Sequence, residues 1–258
     1  MTFTYVALGD SQSERVGDLP WPNGRPRGWT DRLAAALADH HDTVLYANLA
    51  VRGKRAPDVL AEQIGPAEVM KPDLVTVTAG VNDVLRPSGD VAQVIDVLDR
   101  LMVELSAVAA TTILVKAPNL AGLSIPGQLL AGRVAELNAG IDQIARERAV
   151  LVLTAPNGSV FEDLRAWSPD RLHLNALGHE RLARGATYLL GLPEEASWSA
   201  PPAGEPPRRT PWTEARWAAE HLAPWVGRRL RGISSADGRT AKQPELQPVS
   251  TLPANPRY

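Results

Sequence analysis

The sequence predicts an α/β protein built on a five-stranded parallel sheet with helices on both faces. Three observations predict it. Five short apolar segments rich in β-branched residues alternate with longer segments of helical spacing, and such alternation calls for a parallel sheet. The strand segments are nearly continuous apolar runs, as strands buried on both faces are. Polar turns follow the first three strands, where sheets of this kind place their sites.

The elements come in this order. Thr4–Leu8 (TYVAL) is a strand that ends in the turn sequence Gly9-Asp10-Ser11. Trp29–His40 has helical spacing, with Leu33 and Leu37 on one face. Thr43–Leu49 is the second strand, and a helix carrying Val59, Leu60 and Ile64 follows. Leu74–Thr78 (LVTVT) is the third strand and runs into Ala79-Gly80-Val81-Asn82-Asp83. Val91–Ala109 is a long helical pattern, and Thr112–Val115 is the fourth strand. Gln128–Arg148 is a helix with Val134, Leu137, Ile141 and Ile144 in a stripe, and Val150–Leu153 is the fifth strand. A loop with Asp170 and His173 then leads into a helix over about Asn175–Leu190.

Composition agrees with a globular chain. Of 258 residues, 44% are hydrophobic and 22% charged, so a large core is available. There is no cysteine, which excludes a disulfide scaffold, a thiolate metal site and a cysteine nucleophile. Lys plus Arg is 27 and Asp plus Glu is 29, a balance that gives no reason to expect a nucleic-acid partner. The start, MTFTYVALGDSQSERVGD, lacks the basic and apolar regions of a secretory signal. No run approaches the ~18 apolar residues of a membrane span. The expectation is a cytoplasmic protein with no membrane span.

Composition shifts near Pro193, dividing the chain into residues 1–193 and an appendage, 194–258. The last 58 residues hold 10 of the 22 prolines. Pro201–Pro211 is expected to be an extended linker. Thr213–Arg231 is expected to be helical with a break near Pro224. Trp212, Trp217, Leu222 and Trp225 give that helix apolar area, which is expected to pack on the protein's own surface. Arg228, Arg229 and Arg231 are expected to form a solvated basic face at its end. Ser234–Tyr258 is expected to be extended or disordered.

Four short sequences carry chemistry. Ser11 follows a buried strand, so a rigid element would hold its hydroxyl at the rim. A serine needs a general base to act as nucleophile, and His173 supplies an imidazole. Asp170, three residues earlier, can fix the imidazole tautomer and stabilise its charged form. A tetrahedral intermediate needs preset donors, which the Asn82 amide and the backbone N–H groups of Gly53 and Ser11 can provide. Each sequence alone also reads as an ordinary strand-end turn or helix cap.

Together, in the order Gly-Asp-Ser, Gly, Gly-x-Asn-Asp and Asp-x-x-His, they resemble the SGNH (GDSL-type) hydrolase family over about residues 4–190. Ser11, Gly53, Asn82 and His173 match its four blocks, and Asp170 stands at its triad acid. Asn175-Ala176-Leu177-Gly178-His179 looks like its closing block. The resemblance implies a three-layer, flavodoxin-like α/β/α fold and ester hydrolysis of a small-molecule substrate without metal or cofactor. Departures lie beside the serine. Gln12 replaces a small apolar residue, Arg15 a glycine, and Leu174 the proline that often follows the histidine. Acyl transfer, deacetylation of a sugar and a non-catalytic binding role on the same fold are the alternatives. A nucleotide site is excluded, because Gly9-Asp10-Ser11-Gln12 offers no phosphate cradle. His40 and His41 are read as helix-end residues, His179 as a helix residue packed near the site, and Asp83 as a cap or a partner of Asn82.

Overall fold

Strand β1 (Thr2–Gly9) runs through the middle of the sheet, and Tyr5, Val6, Ala7 and Leu8 are wholly buried there. The computed structural model describes residues 1–21, 24 and 27–249. After β1 come α1 (Trp29–Ala38), β2 (Thr43–Asn48), α2 (Ala56–Met70), β3 (Leu74–Thr78) and the single turn α3 (Val81–Val84). Then follow α4 (Val91–Val108), β4 (Thr111–Val115), α5 (Ile125–Arg148), β5 (Leu151–Leu153) and α6 (Ala176–Leu189). The appendage holds α7 (Pro211–Trp217), α8 (Ala223–Leu230) and β6 (Gln243–Pro248).

The sheet order is β5-β4-β3-β1-β2-β6. The first five strands are parallel. Chain order reverses at β1, so right-handed crossovers carry α1 to one face and α2 to the other. α1 packs beside α6, while α2, α4 and α5 form the opposite layer. Residues such as Leu98, Leu101, Met102 and Leu105 of α4 are wholly buried between that layer and the sheet. Among the described residues no helix is long and apolar enough to cross a membrane.

The strand count corrects the sequence expectation of five. β6, drawn from the segment expected to be extended or disordered, joins the sheet antiparallel to β2. Its sequence, Gln-Pro-Glu-Leu-Gln-Pro, has no alternation of apolar residues. An edge strand tolerates proline because only one side must hydrogen-bond. The Gln243 side chain donates to Tyr46 O at 2.9 Å, and Val249 N donates to Val44 O at 2.8 Å. The break expected near Pro224 is a single π turn over Ala218–Leu222, just before that residue. The Arg229 side chain and residues 250–258 lie outside the described residues.

α5 begins at Ile125, earlier than the apolar stripe alone predicts, because Ser124 Oγ accepts from Gly127 N and Pro126 sits in the first turn. The carboxyl ends of β1 and β3 meet where strand order reverses. That is the crevice in which doubly wound sheets bind ligands.

Candidate active site

The turn after β1 is fixed by close approach. Gly9 N donates to Gln63 Oε1 at 2.7 Å and Gln63 Nε2 donates to Gly9 O at 3.0 Å. A Cβ on Gly9 would lie 2.2 Å from Thr78 O, so only glycine lets β1 and β3 lie this close. Asp10 is buried, and its carboxyl accepts from Gln12 N at 3.1 Å, Thr78 Oγ1 at 3.2 Å and Asn82 Nδ2 at 3.2 Å. Burial pushes its pKa up to about 6 against those hydrogen bonds and the nearby charge of His173.

Ser11, 9% exposed, lines an apolar pocket of about 80 Å³. Its lining includes the polar Asp10, Gln12 and Asn82 and the apolar Val115, Leu153, Phe161, Trp167 and Leu174. Asn82 lies in the first turn of α3 and donates its second Nδ2 proton to Lys54 O at 2.9 Å. Both amide protons are thus engaged, and the bond to Asp10 is the longer. Asp83 serves α2, accepting from Ala56 N at 3.0 Å.

His173 Nδ1 and Asp170 Oδ2 are 2.7 Å apart. Asp170 Oδ1 also accepts from Leu172 N at 3.0 Å and His173 N at 3.1 Å. Burial raises the Asp170 carboxyl, but the His173 hydrogen bond and charge, with those two amides, outweigh it and hold the pKa at about 2. The loop is tied to the serine turn one residue away on each side, by Gln12 Nε2 donating to Leu172 O at 2.9 Å. Among the described residues no hydrogen bond joins Ser11 to the His173 ring. Its neighbours Leu172 and Leu174 line the pocket and the ring does not. Hydrogen bonds of this kind are often long before substrate binds.

Gly53 stands apart from the pocket wall. It has φ +81, and Val51 N donates to Gly9 O at 3.1 Å, holding its turn beside the serine turn. The appendage covers it: a Cβ there would lie 2.3 Å from Ser235 Oγ and 2.8 Å from Ala236 N. Among the described residues no group of three or more His, Asp or Glu side chains is gathered as metal ligands would be.

The sequence matches the GDSL-like lipase/acylhydrolase family from residue 7 to residue 181, more than half of the chain. The chain belongs to that family. It is a carboxylic ester hydrolase of the SGNH type. No curated protein matches it in sequence. Similar solved structures include an α/β hydrolase from the metagenome of Lake Arreo, Spain, at 19% identity and TM-score 0.62, covering 75% of this chain and 97% of that one. An acetyl xylan esterase from Geobacillus stearothermophilus is 20% identical at TM-score 0.62, over 75% and 96% of the two chains. TesA is 22% identical at TM-score 0.61, over 72% and 97%. At these identities the likeness is one of fold.

In this GDSL-type hydrolase, residues outside the four blocks also hold the site. Gln63 is one, and the sequence carried a signal for it. It is the polar member of a buried α2 stripe, Ala56, Val59, Gln63 and Ala67, and a buried polar side chain needs partners. Glu14 is another. Its carboxylate accepts from Arg52 N and from Arg52 Nε at 2.9 Å, and Lys242 Nζ lies 3.1 Å away. Burial raises Glu14, but Arg52 and Lys242 outweigh it and hold the pKa below its ordinary value. Glu14 therefore braces the residue before Gly53. Arg15 pairs with Asp31 at 3.0 Å.

His179 is wholly buried. Its Nδ1 accepts from Trp29 N at 3.2 Å and its Nε2 donates to Val16 O at 3.0 Å. That pattern requires the neutral ring, and burial lowers its pKa to about 4. His41 stacks on Phe3 and His40 is exposed, both at the far end of the sheet.

Proposed function

We propose that the protein hydrolyses small or short-chain acyl esters with a Ser11-His173-Asp170 triad. Ser11 Oγ attacks the ester carbonyl, His173 takes the serine proton, and Asp170 holds the imidazole and its charge. Ser11 N–H, Gly53 N–H and Asn82 Nδ2 stabilise the oxyanion, the amide turning its longer bond from Asp10 to the substrate. His173 then returns the proton to the leaving alcohol. Water enters by the same route: its oxygen adds to the acyl carbon as His173 takes its proton, and His173 then returns that proton to Ser11 Oγ as it leaves. The observation that carries this reading is the Asp170–His173 pair at 2.7 Å on a loop tied through Gln12 to the serine turn.

The pocket argues for a short acyl group. Its volume of about 80 Å³ is well below the ~300–1,000 Å³ of drug-sized sites. The acetyl ester named for one structural neighbour carries a short acyl group of the kind such a pocket accepts. The test is turnover of p-nitrophenyl esters from acetate to palmitate, with fluorophosphonate labelling and a Ser11→Ala control. Short esters should react, the label should map to Ser11, and the variant should do neither. A Ser11→Ala protein with full esterase activity would defeat the assignment.

A further inference from the structure

The loop that joins Asp170 to His173 is braced by the Asp170 carboxyl, which accepts from Leu172 N and His173 N, yet it carries a strained residue. Arg171 has φ +56, a left-handed conformation that is unfavourable for a residue with a Cβ. Such a residue persists when its surroundings fix it. Only Arg171 and Leu172 separate acid from base, so a rotation at Arg171 displaces one relative to the other.

The backbone of Arg171 is held within the loop, its N–H donating to Ser168 O at 2.9 Å, and the appendage grips its side chain. The Arg171 guanidinium donates from Nη1 to Glu214 Oε2 at 2.8 Å and to Leu123 O at 3.2 Å. It also lies 4.6 Å from the centroid of the Trp217 ring. Its side chain is only 11% exposed in this grip. Glu214 is itself anchored, accepting from Arg209 Nη2 at 2.7 Å and Nε at 3.1 Å, while Arg209 Nη1 donates to Gly122 O at 2.6 Å. These two arginines hold the Glu214 carboxyl at about 2, so it stays charged at neutral pH. A planar guanidinium held by a carboxylate on its edge and a ring on its face has little freedom left.

We propose that Glu214 and Trp217 are positioning residues for the general base: by gripping Arg171 they hold Asp170 and His173 in register, making the appendage part of the catalytic apparatus. The proposal rests on the reading of His173 as that base. Neither side chain lines the pocket around Ser11, and both bear on Arg171, so their effect is expected to travel through it.

The test uses the full chain. Glu214→Gln and Trp217→Ala should lower kcat on p-nitrophenyl acetate about tenfold, the scale of a misplaced catalytic group, with KM within twofold. They should also broaden the downfield proton NMR resonance of His173 Nδ1–H. Trp217→Phe should restore both readouts, since Trp217 Nε1 has no hydrogen-bond partner to lose and the ring face remains. Thr210→Ala removes the cap of the same helix, where Thr210 Oγ1 accepts from Thr213 N, without touching Arg171. It should leave kcat and the resonance unchanged.

The proposal is overturned if Glu214→Gln and Trp217→Ala keep wild-type kcat and resonance, if Thr210→Ala is as damaging as they are, or if Phe fails to rescue. Should Glu214→Gln not fold, the Trp217→Ala and Trp217→Phe pair decides alone. A wild-type protein that turned over no ester would refute the triad reading, and the resonance would still decide the clamp.

Discussion

The Asp170 carboxyl does two jobs for His173: one oxygen lies 2.7 Å from Nδ1, and the other accepts the backbone N–H of the same histidine at 3.1 Å. The first contact sets the tautomer, leaving the free lone pair on Nε2. The second sets the loop. Asp170→Asn keeps an acceptor for the amides but can present an N–H to Nδ1. We expect kcat to fall by about 10³–10⁴, as when a triad carboxylate becomes an amide, with the melting temperature nearly unchanged. Kinetics with parallel thermal melts check this, and a fall below tenfold would remove Asp170 from the triad.

Asn82 spans two roles as well. Its amide reaches Asp10 at 3.2 Å and Lys54 O at 2.9 Å, so it ties β1, the Gly53 turn and α3 together. Asn82→Ala should lower kcat by about 10²–10³, the usual loss for one oxyanion donor. It should also leave the buried Asp10 carboxyl short of a donor, which costs about 1–3 kcal/mol. Urea unfolding and turnover measured on one preparation separate the two effects. A stability loss with kcat intact would make Asn82 purely structural.

Three of the four blocks were legible because each is a polar, conformationally unusual sequence shortly after a strongly apolar strand. Leu74–Thr78 and Thr4–Leu8 announce themselves, and Asp170-x-x-His173 is local enough to pair within one loop. β6 was not legible, because it joins the sheet through backbone groups and the Gln243 amide rather than an apolar face. The role of Glu14 was not legible either, since its partner Arg52 lies 38 residues away. Glu214 was one charge on an exposed helix until the fold brought Arg171 to it. Local periodicity reports elements, and such long-range pairs leave no periodic trace.

Gly53→Ala tests the cover that Ser235 lays over the Gly53 turn. The new methyl would meet Ser235 Oγ at 2.3 Å, at a residue whose φ of +81 already disfavours a side chain. We expect about 1–3 kcal/mol of stability to be lost and trypsin to cut the appendage faster at Arg231 and Arg239. Gly158→Ala is the control, because its φ is +73 and nothing lies near its Cβ position. It should show the backbone cost without the faster cleavage. Equal cleavage in both variants would mean that Ser235 is not held against Gly53.

The pH dependence of stability should carry the signature of His179. Its folded pKa of about 4 lies below the ordinary 6.5 because of burial. The unfolded chain therefore binds the proton more readily between those values. The contribution of the neutral ring is fully present above about pH 6.5 and is lost as pH falls through 4, by about 3 kcal/mol at 1.36 kcal/mol per pH unit. Asp10 and Asp31 work the other way. Burial raises both to about 6 from 3.8, so their stabilising effect is complete below about 3.8 and is lost as pH rises through 6. Opposed slopes would flatten the wild-type curve and hide the histidine. A His179→Gln variant exposes it: the gap in unfolding free energy between wild type and variant should narrow as pH drops from 7 to 4. Denaturant melts across that range measure the gap, and a constant gap would show that the ring is protonated in the fold or that another group replaces it.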